Sequence, residues 1–488
     1  MEGRLTRRDF LKVGGGALGG AYIAALATPG SALAQDEEGK GWAKVPGILR
    51  RINPPEFPDR EFVITEYGAI GDGETDCTEA FRRAIEECTG SGGGHVVVPE
   101  GVFLSGPIHL ANNVDLHVEE AGTIRFSRAP GDYLPQVYTR WEGVEVMNYS
   151  PLIYGRGLKN IGITGSGTID GRASNDYWWP WKGQEEHGWE PGDPSQDEAR
   201  DRLIQMAEDG VPVEERVFGE GDYLRPMMIQ PYECENIIIE GVTLKDSPMW
   251  HIHPVLSKNI TVRGVTVDNP TGPNADGCDP ESCTDIHIQS CLFDTGDDCV
   301  AFKAGKNADG RRIDTPTKNA VVEDCEMRDG HGGVTMGSEM TGGVENIFAR
   351  NCVMDSPHLD RVLRIKTNSL RGGYVKNVYM KNVRVSEAAE AIRINFLYGD
   401  GEEAGSYNPS VSNIYVRNLR VENTEYALDM RGYEESPIRN VRLKNCVFEN
   451  VERENRLENV SGLVLSNVVI GDERYHTPSN GKGPRNKR

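Results

Sequence analysis

Apolar and polar residues alternate in a short pattern that returns along most of the chain, each copy opening on Asn or Asp. It reads Asn160-Ile-Gly-Ile, Asn236-Ile-Ile-Ile-Glu-Gly-Val242, Asn259-Ile-Thr-Val-Arg-Gly-Val265, Asp285-Ile-His-Ile-Gln-Ser-Cys291, Asn319-Ala-Val-Val-Glu-Asp-Cys325 and Asn346-Ile-Phe-Ala-Arg-Asn-Cys352. Asn377-Val-Tyr-Met-Lys-Asn-Val383, Asn413-Ile-Tyr-Val-Arg-Asn-Leu419 and Asn440-Val-Arg-Leu-Lys-Asn-Cys446 continue it. A period of two is the mark of a half-buried strand. Asparagine suits the preceding turn, because its side chain tolerates the left-handed region and bonds nearby backbone. Most copies return after roughly 20 to 35 residues. Hairpin-linked sandwich strands would give turn signals every ~8 to 12 residues, whereas one coil of a solenoid has the longer repeat. The pattern predicts an all-β fold, a single right-handed parallel β-helix.

The same reading divides the chain. Residues 35–60, with Pro46, Pro54, Pro55 and Pro58, read as an extended lead-in, and residues 61–475 as the β-helix. Phe62 to Ile70 reads as a short strand ending at the turn Gly71-Asp72-Gly73. Asp76 then caps a predicted helix with Ala80, Phe81, Ala84 and Ile85 on one face. Such a helix is the expected N-terminal cap, since the first coil of a solenoid would otherwise expose its apolar end. Residues 172–222 interrupt the repeats: Tyr177-Trp178-Trp179-Pro180-Trp181-Lys182 precedes an acidic, predicted helical segment from Pro194 to Glu215. The aromatic cluster suits either a platform for a sugar ring or the packing core of the insertion. Residues 476–488 read as a disordered basic tail.

The first 34 residues carry Thr6-Arg7-Arg8-Asp9-Phe10-Leu11-Lys12, a short Gly/Ala-rich apolar run, and Ala32-Leu33-Ala34. This reads as a twin-arginine export signal, placing the mature protein in the periplasm or outside the cell. No run approaches the ~20 apolar residues of a spanning helix, so no membrane is expected as a partner of the mature form. Net charge is −22, and removing a leader with four basic and two acidic residues makes it −24. Nucleic acid is an unsuitable partner for such a surface. An acidic substrate would need positive charge supplied locally by its cleft. Of ten cysteines, Cys291, Cys325, Cys352 and Cys446 fall at one place in the repeat, where a small apolar side chain faces inward. No pair has metal-ligand spacing, so buried free thiols are expected. Oligomeric state is not legible.

Candidate chemistry concentrates between Asn274 and Lys366. Asn274-Ala-Asp-Gly-Cys-Asp279, Gly296-Asp-Asp298, Gly330-His-Gly332 and Arg364-Ile-Lys366 each lie in or beside a predicted strand. Asp276 and Asp298 are 22 residues apart, close to one coil, which puts them on neighbouring coils. Gly296 offers a bend at φ > 0 to aim the adjacent carboxylates. Three crowded acids cannot all ionise easily, so one pKa should rise while the others stay low. That is the equipment of glycoside hydrolysis: a protonated acid for the leaving oxygen and a carboxylate to activate water or attack carbon. Arg364 and Lys366, two apart on a strand, share a face and could hold an anionic sugar carboxylate.

In this order the four motifs resemble the polygalacturonase (pectinase) family of glycoside hydrolases, family 28, over about Phe62 to Asn467. The resemblance implies a pectin-lyase-like solenoid and hydrolysis of α-1,4-galacturonosyl bonds in pectin with inversion, with no cofactor and no metal. It makes Asp297 the general acid, has Asp276 and Asp298 position and deprotonate water, and has His331 orient acid and substrate. Arg364 and Lys366 would bind galacturonate, with Tyr398 stacking on it. Ala275 departs from the family's usual threonine. The Trp-rich insertion, Trp250-His-Ile-His253 and Gly337-Ser-Glu339 are similar to bacterial exo-acting members, which adds Trp250, His253 and Glu339 as cleft contacts and favours exo over endo action. Alternatives are a Ca²⁺-dependent pectate lyase, a hydrolase of rhamnogalacturonan or xylogalacturonan, and a non-catalytic polysaccharide-binding β-helix. The last has no reason to gather three acids, a histidine and two cations on consecutive coils.

Overall fold

A computed structural model describes residues 37–399 and 405–476. The predicted leader, and the tail beyond His476, lie outside the described residues. The chain winds into a right-handed parallel β-helix whose strands pair with the coil before and the coil after. One internal column runs Val96, Leu116, Ile163, Ile239, Val262, Ile288, Val322, Ala349, Met380, Val416 and Leu443, each in parallel register with the next. These side chains are buried, so the alternation read from the sequence is the alternation between core and outer face. The last strands, Val464–Ile470 and Glu473–His476, pair antiparallel and close the array.

The asparagine that opens each repeat performs two tasks. Asn160, Asn236, Asn259, Asn319, Asn346, Asn377, Asn413 and Asn440 all have φ between 53° and 61°. Their side-chain amides also bond from coil to coil: Asn236 Nδ2 donates to Asn160 Oδ1 at 2.8 Å, Asn259 to Asn236 at 2.6 Å and Asn440 to Asn413 at 2.7 Å. Thiols form a shorter column. All ten cysteines are free and buried, and Cys291, Cys325 and Cys352 each sit two residues past the paired Gln289, Glu323 and Arg350 on adjacent coils.

The capping helix is present as Thr78–Gly90 and buries Ala80, Phe81, Ala84, Ile85 and Cys88 against the first coil. Cys77 occupies the cap position; Asp76 acts from one residue earlier, its Oδ1 accepting from Thr78 N at 2.9 Å. The segment before it departs from expectation, with a strand only over Glu61–Val63, a 3-10 turn over Ile64–Tyr67 and a second strand over Asp72–Asp76.

The lead-in is not simply extended: residues 37–42 and Val45–Leu49 are helical. Pro46 falls in the first turn of the second helix, where a missing N–H costs nothing. The segment straps the outside of the solenoid. Trp42 packs on Phe348 and Tyr379, which stack in turn with Tyr415 at 4.9 and 5.0 Å between centroids. Arg51 pairs with Asp285 at 2.5 Å, and Asn53 N donates to Asn259 Oδ1 at 3.0 Å.

Residues 172–222 leave the coils, with a helix over Asp197–Glu208. The aromatic cluster is their packing core. Trp178 and Trp179 are buried, Trp178 meets Tyr133 and Trp181 edge-on, and Trp179 Nε1 donates to Ser247 O at 3.0 Å.

Candidate active site

A second internal column carries the site. Ile229, Ile252, Cys278, Val300, Val334, Leu363, Ile392 and Leu428 stack in parallel register. Residues one further along each strand face outward, so His253, Asp279, Ala301, Thr335 and Arg364 form an outer row. Two further along lies the row Glu281, Lys303, Gly337 and Lys366. Asp276 and the Asp297–Asp298 pair sit in the turns just ahead of Cys278 and Val300, at the rim of the same face. Winding thus brings Asp276, Asp297, Asp298, His331, Arg364 and Lys366 together. Carboxylate oxygens of the three aspartates lie within 4.8 Å of one another.

Close backbone approach makes this crowding possible. A side chain at Gly296 would meet Gly272 O at 2.2 Å, and one at Gly332 would meet Thr335 Oγ1 at 2.3 Å. Gly296 is therefore required for space rather than for the positive φ expected of it. Gly330 does adopt φ 148°, and its Cβ would meet Asp297 O at 2.6 Å.

Each acid has its own surroundings. Asp298 is fully buried; its Oδ1 accepts from Thr335 Oγ1 at 3.0 Å and Arg364 Nη1 at 2.9 Å, and its Oδ2 pairs with Lys366 Nζ at 2.7 Å. Burial pushes its carboxyl up, but Lys366 and Arg364 outweigh that and hold it below the usual range. Asp297 Oδ1 lies 3.1 Å from His331 Nδ1 and accepts from Asp298 N at 2.9 Å, while Asn274 Nδ2 reaches Oδ2 at 3.4 Å. Burial raises the Asp297 carboxyl too, yet the His331 hydrogen bond, Lys366 and Arg364 leave it well below the ordinary range. The same hydrogen bond raises His331 against the opposing effect of burial. Asp276 is the opposite case. Its Oδ1 is buried without a hydrogen-bond partner, and Lys303 Nζ stands 3.7 Å from Oδ2. Burial, with Asp279 and Asp297 nearby, raises its pKa. The divergence expected for crowded acids is present, with the proton favoured on Asp276.

Arg364 and Lys366 share an outer face, as their spacing required, but they are not an unengaged pair awaiting an anion. Both neutralise Asp298, and an arginine with five N–H groups and a lysine with three retain further donors. Tyr398 lies beside them, its ring centroid 5.6 Å from the Arg364 guanidinium carbon and 5.2 Å from Lys366 Nζ.

Two predicted cleft contacts are corrected. His253 has 0% exposure and is enclosed by Gln230, 3.0 Å from Nδ1, and Glu281, 2.8 Å from Nε2. It cannot touch substrate. Trp250 is 3% exposed and its ring lies under Lys303, 4.3 Å from Nζ, so it supports the floor rather than stacking on sugar. Glu339 is 7% exposed and pairs with Lys303 at 3.4 Å. Burial raises its carboxyl, but Lys303 and Lys306 bring it down to about 2.

Lys303 is the central residue that sequence reasoning missed. Its ammonium stands within 3.7 Å of Asp276, Asp279 and Glu339. Asp279, also missed as a site member, is buried with neither oxygen hydrogen-bonded, and burial pushes it up to about 8. A signal existed: Ala301 and Lys303 alternate with inward Val300 and Phe302, putting Lys303 on the face that carries the acids.

Three crowded carboxylates of divergent acidity, one bonded to a histidine and one to two cations, on one face of a parallel β-helix are the equipment of a carbohydrate-cleaving enzyme. Residues 220–468 match the family model described as "Glycosyl hydrolases family 28", and the chain belongs to that family. It is 30% identical over 400 residues, 79% of this chain and 73% of the other, to a probable polygalacturonase of Vitis vinifera. With the exo-poly-alpha-D-galacturonosidase of Dickeya chrysanthemi it shares 26% identity over 71% of this chain and 59% of the other. The crystal structure of a hyperthermoactive exopolygalacturonase from Thermotoga maritima is 47% identical and has a TM-score of 0.85, covering 91% of this chain and 97% of that one.

Proposed function

We propose that this protein hydrolyses α-1,4-galacturonosyl bonds of polygalacturonate from a chain end, with Asp297 as proton donor and Asp276 and Asp298 positioning and deprotonating the attacking water. The observation that carries the reading is the meeting, within 4.8 Å, of three carboxylates, one held by His331 and one by Arg364 and Lys366. Before substrate arrives the proton favours Asp276 and Asp297 is ionised. A uronate carboxylate on the remaining donors of Arg364 and Lys366 would cancel the charge that depresses Asp297 and raise its pKa, so that the proton held by Asp276 passes to Asp297 and Asp276 is left ionised to take one from water. Substrate and catalytic acid are thereby linked: a neutral sugar would leave Asp297 unprotonated. Tyr398 forms one wall against the bound ring.

A chain-end preference is supported by the hairpin Val137–Trp141 and Val144–Asn148. Its Gly143 lies so close to Lys306 and Glu339 that a Cβ would meet them at 2.8 and 2.9 Å, which packs the hairpin against the residues beside the acids, where a wall would block an extended chain. The names of the Thermotoga and Dickeya relatives support it too. Inversion is proposed on the family's mechanism; the anomer first released, followed by NMR, decides it. A lyase reading would place Ca²⁺ among the three aspartates. It competes with Lys303, Arg364 and Lys366, which already neutralise this cluster. Export through the twin-arginine leader is part of the proposal. Replacing Arg7 and Arg8 with lysine should retain the protein in the cytoplasm, and unaltered export would refute that part.

Replacing Asp297 with Asn tests the reading directly. Turnover of polygalacturonate should be abolished while oligogalacturonide binding and folding persist; retained turnover would remove Asp297 from its role.

A further inference from the structure

Arg225 is a buried cation that the chemistry above does not use. It has 0% exposure, and among the described residues no carboxylate lies within ion-pair distance of it. Its guanidinium is instead held by neutral oxygens: Nε donates to Gln196 Oε1 at 3.1 Å, and Nη1 to Pro248 O at 2.9 Å and Pro273 O at 2.8 Å. Nη2 donates to Asn274 Oδ1 at 2.8 Å. Burial pushes the group down to about 10, with Glu142 opposing from a distance. Enclosing a guanidinium without a counter-ion is costly, and no apolar or amide side chain could reach four oxygens at once.

The final contact of this set bears on the acid. Asparagine's oxygen and nitrogen have the same shape, so packing alone does not say which way its amide faces. Arginine can only donate. Asn274 must therefore turn its oxygen to Arg225, which leaves its Nδ2 facing Asp297 Oδ2, 3.4 Å away. On its other side Arg225 holds Gln196, whose backbone N donates to Trp181 O at 2.8 Å within the insertion. Pro248 and Pro273 belong to turns on two successive coils. A continuous set of hydrogen bonds thus runs from the 172–222 insertion through Gln196, Arg225 and Asn274 to Asp297.

We propose that Arg225 is a positioning residue: it fixes the orientation of the Asn274 amide so that Asp297 receives an N–H, and it makes the geometry of the acid depend on the insertion. The proposal rests on Asp297 being the proton donor.

Arg225→Lys and Asn274→Ala test it, alone and combined, by kcat, KM and the pH profile of kcat on polygalacturonate. Lysine keeps the charge but not the four-way donation. Each single variant should lose about tenfold to a hundredfold in kcat, the scale of one hydrogen bond to a charged group, with KM within about threefold. Losing an N–H to the ionised carboxylate raises the pKa of Asp297, so the high-pH limb of kcat should move upward in both. The double variant should be no worse than the single ones, since both break one path. Wild-type kcat and an unmoved limb in Arg225→Lys would overturn the proposal, as would multiplicative losses in the double variant. Should Arg225→Lys not fold, wild-type kcat in Asn274→Ala overturns it equally. Asp297→Asn separates the two claims. Turnover retained there sinks the assignment of the acid, whereas an inactive Asp297→Asn beside a fully active Arg225→Lys sinks only this inference.

Discussion

At the scale of single residues, the site is an arrangement for keeping three adjacent acids in different states. Asp298 is neutralised by Arg364 and Lys366, Asp297 is bonded to His331, and Asp276 has only the more distant Lys303. The Asp297–His331 bond can be titrated. Because Asp297 raises His331, that interaction contributes fully below the ordinary histidine pKa of about 6.5 and fades as pH rises through the higher folded value. Asp297→Asn should therefore lower the His331 imidazole pKa, followed by NMR, since only the weaker attraction of Asp298 and Asp360 then opposes burial. An unchanged value would mean another group holds the imidazole. Much of this was readable in advance, because the acids, His331 and the two cations recur with the coil. The misreading of His253 has a definite cause. Whether an outward strand residue meets solvent depends on what covers it, and His253 is covered by Gln230 and by the network around Arg140, from a hairpin more than a hundred residues earlier. Local alternation carries no trace of such a lid.

At the scale of elements, the repeat is held by its asparagines. Asn377 combines φ 61° with ladder bonds to Asn346 and Asn413 at 3.4 and 3.0 Å. Asn377→Ala should destabilise by about 2 kcal/mol, combining left-handed strain with lost hydrogen bonds. Asn377→Gly, which escapes the strain, should cost about half as much. Equal losses in chemical denaturation would show that backbone conformation is not what the asparagine supplies. These columns were legible because each copy repeats the same demand. The lead-in was not: its prolines suggested an extended segment, while its helical turns follow from docking Trp42 onto the Phe348–Tyr379–Tyr415 stack, a partner far away in sequence.

At the scale of the whole molecule, the solenoid supplies rigidity and the excursions supply shape. Every cysteine is free and buried. A thiol reagent should therefore label none of the ten in the native protein and all ten in denaturant. Prompt native labelling would contradict the packing described. The hairpin around Gly143 packs closely against Lys306 and Glu339 beside the site, and Gln196 of the 172–222 insertion is bonded to Arg225; the proposed chain-end action rests on these excursions closing one end of the groove. Incubation with polygalacturonate, with chelator present and products separated by chromatography, tests this most directly. Saturated galacturonate monomer should appear from the first time point, undiminished by chelator. A ladder of mixed oligomers would contradict chain-end cleavage, and an unsaturated, ultraviolet-absorbing product would contradict hydrolysis itself.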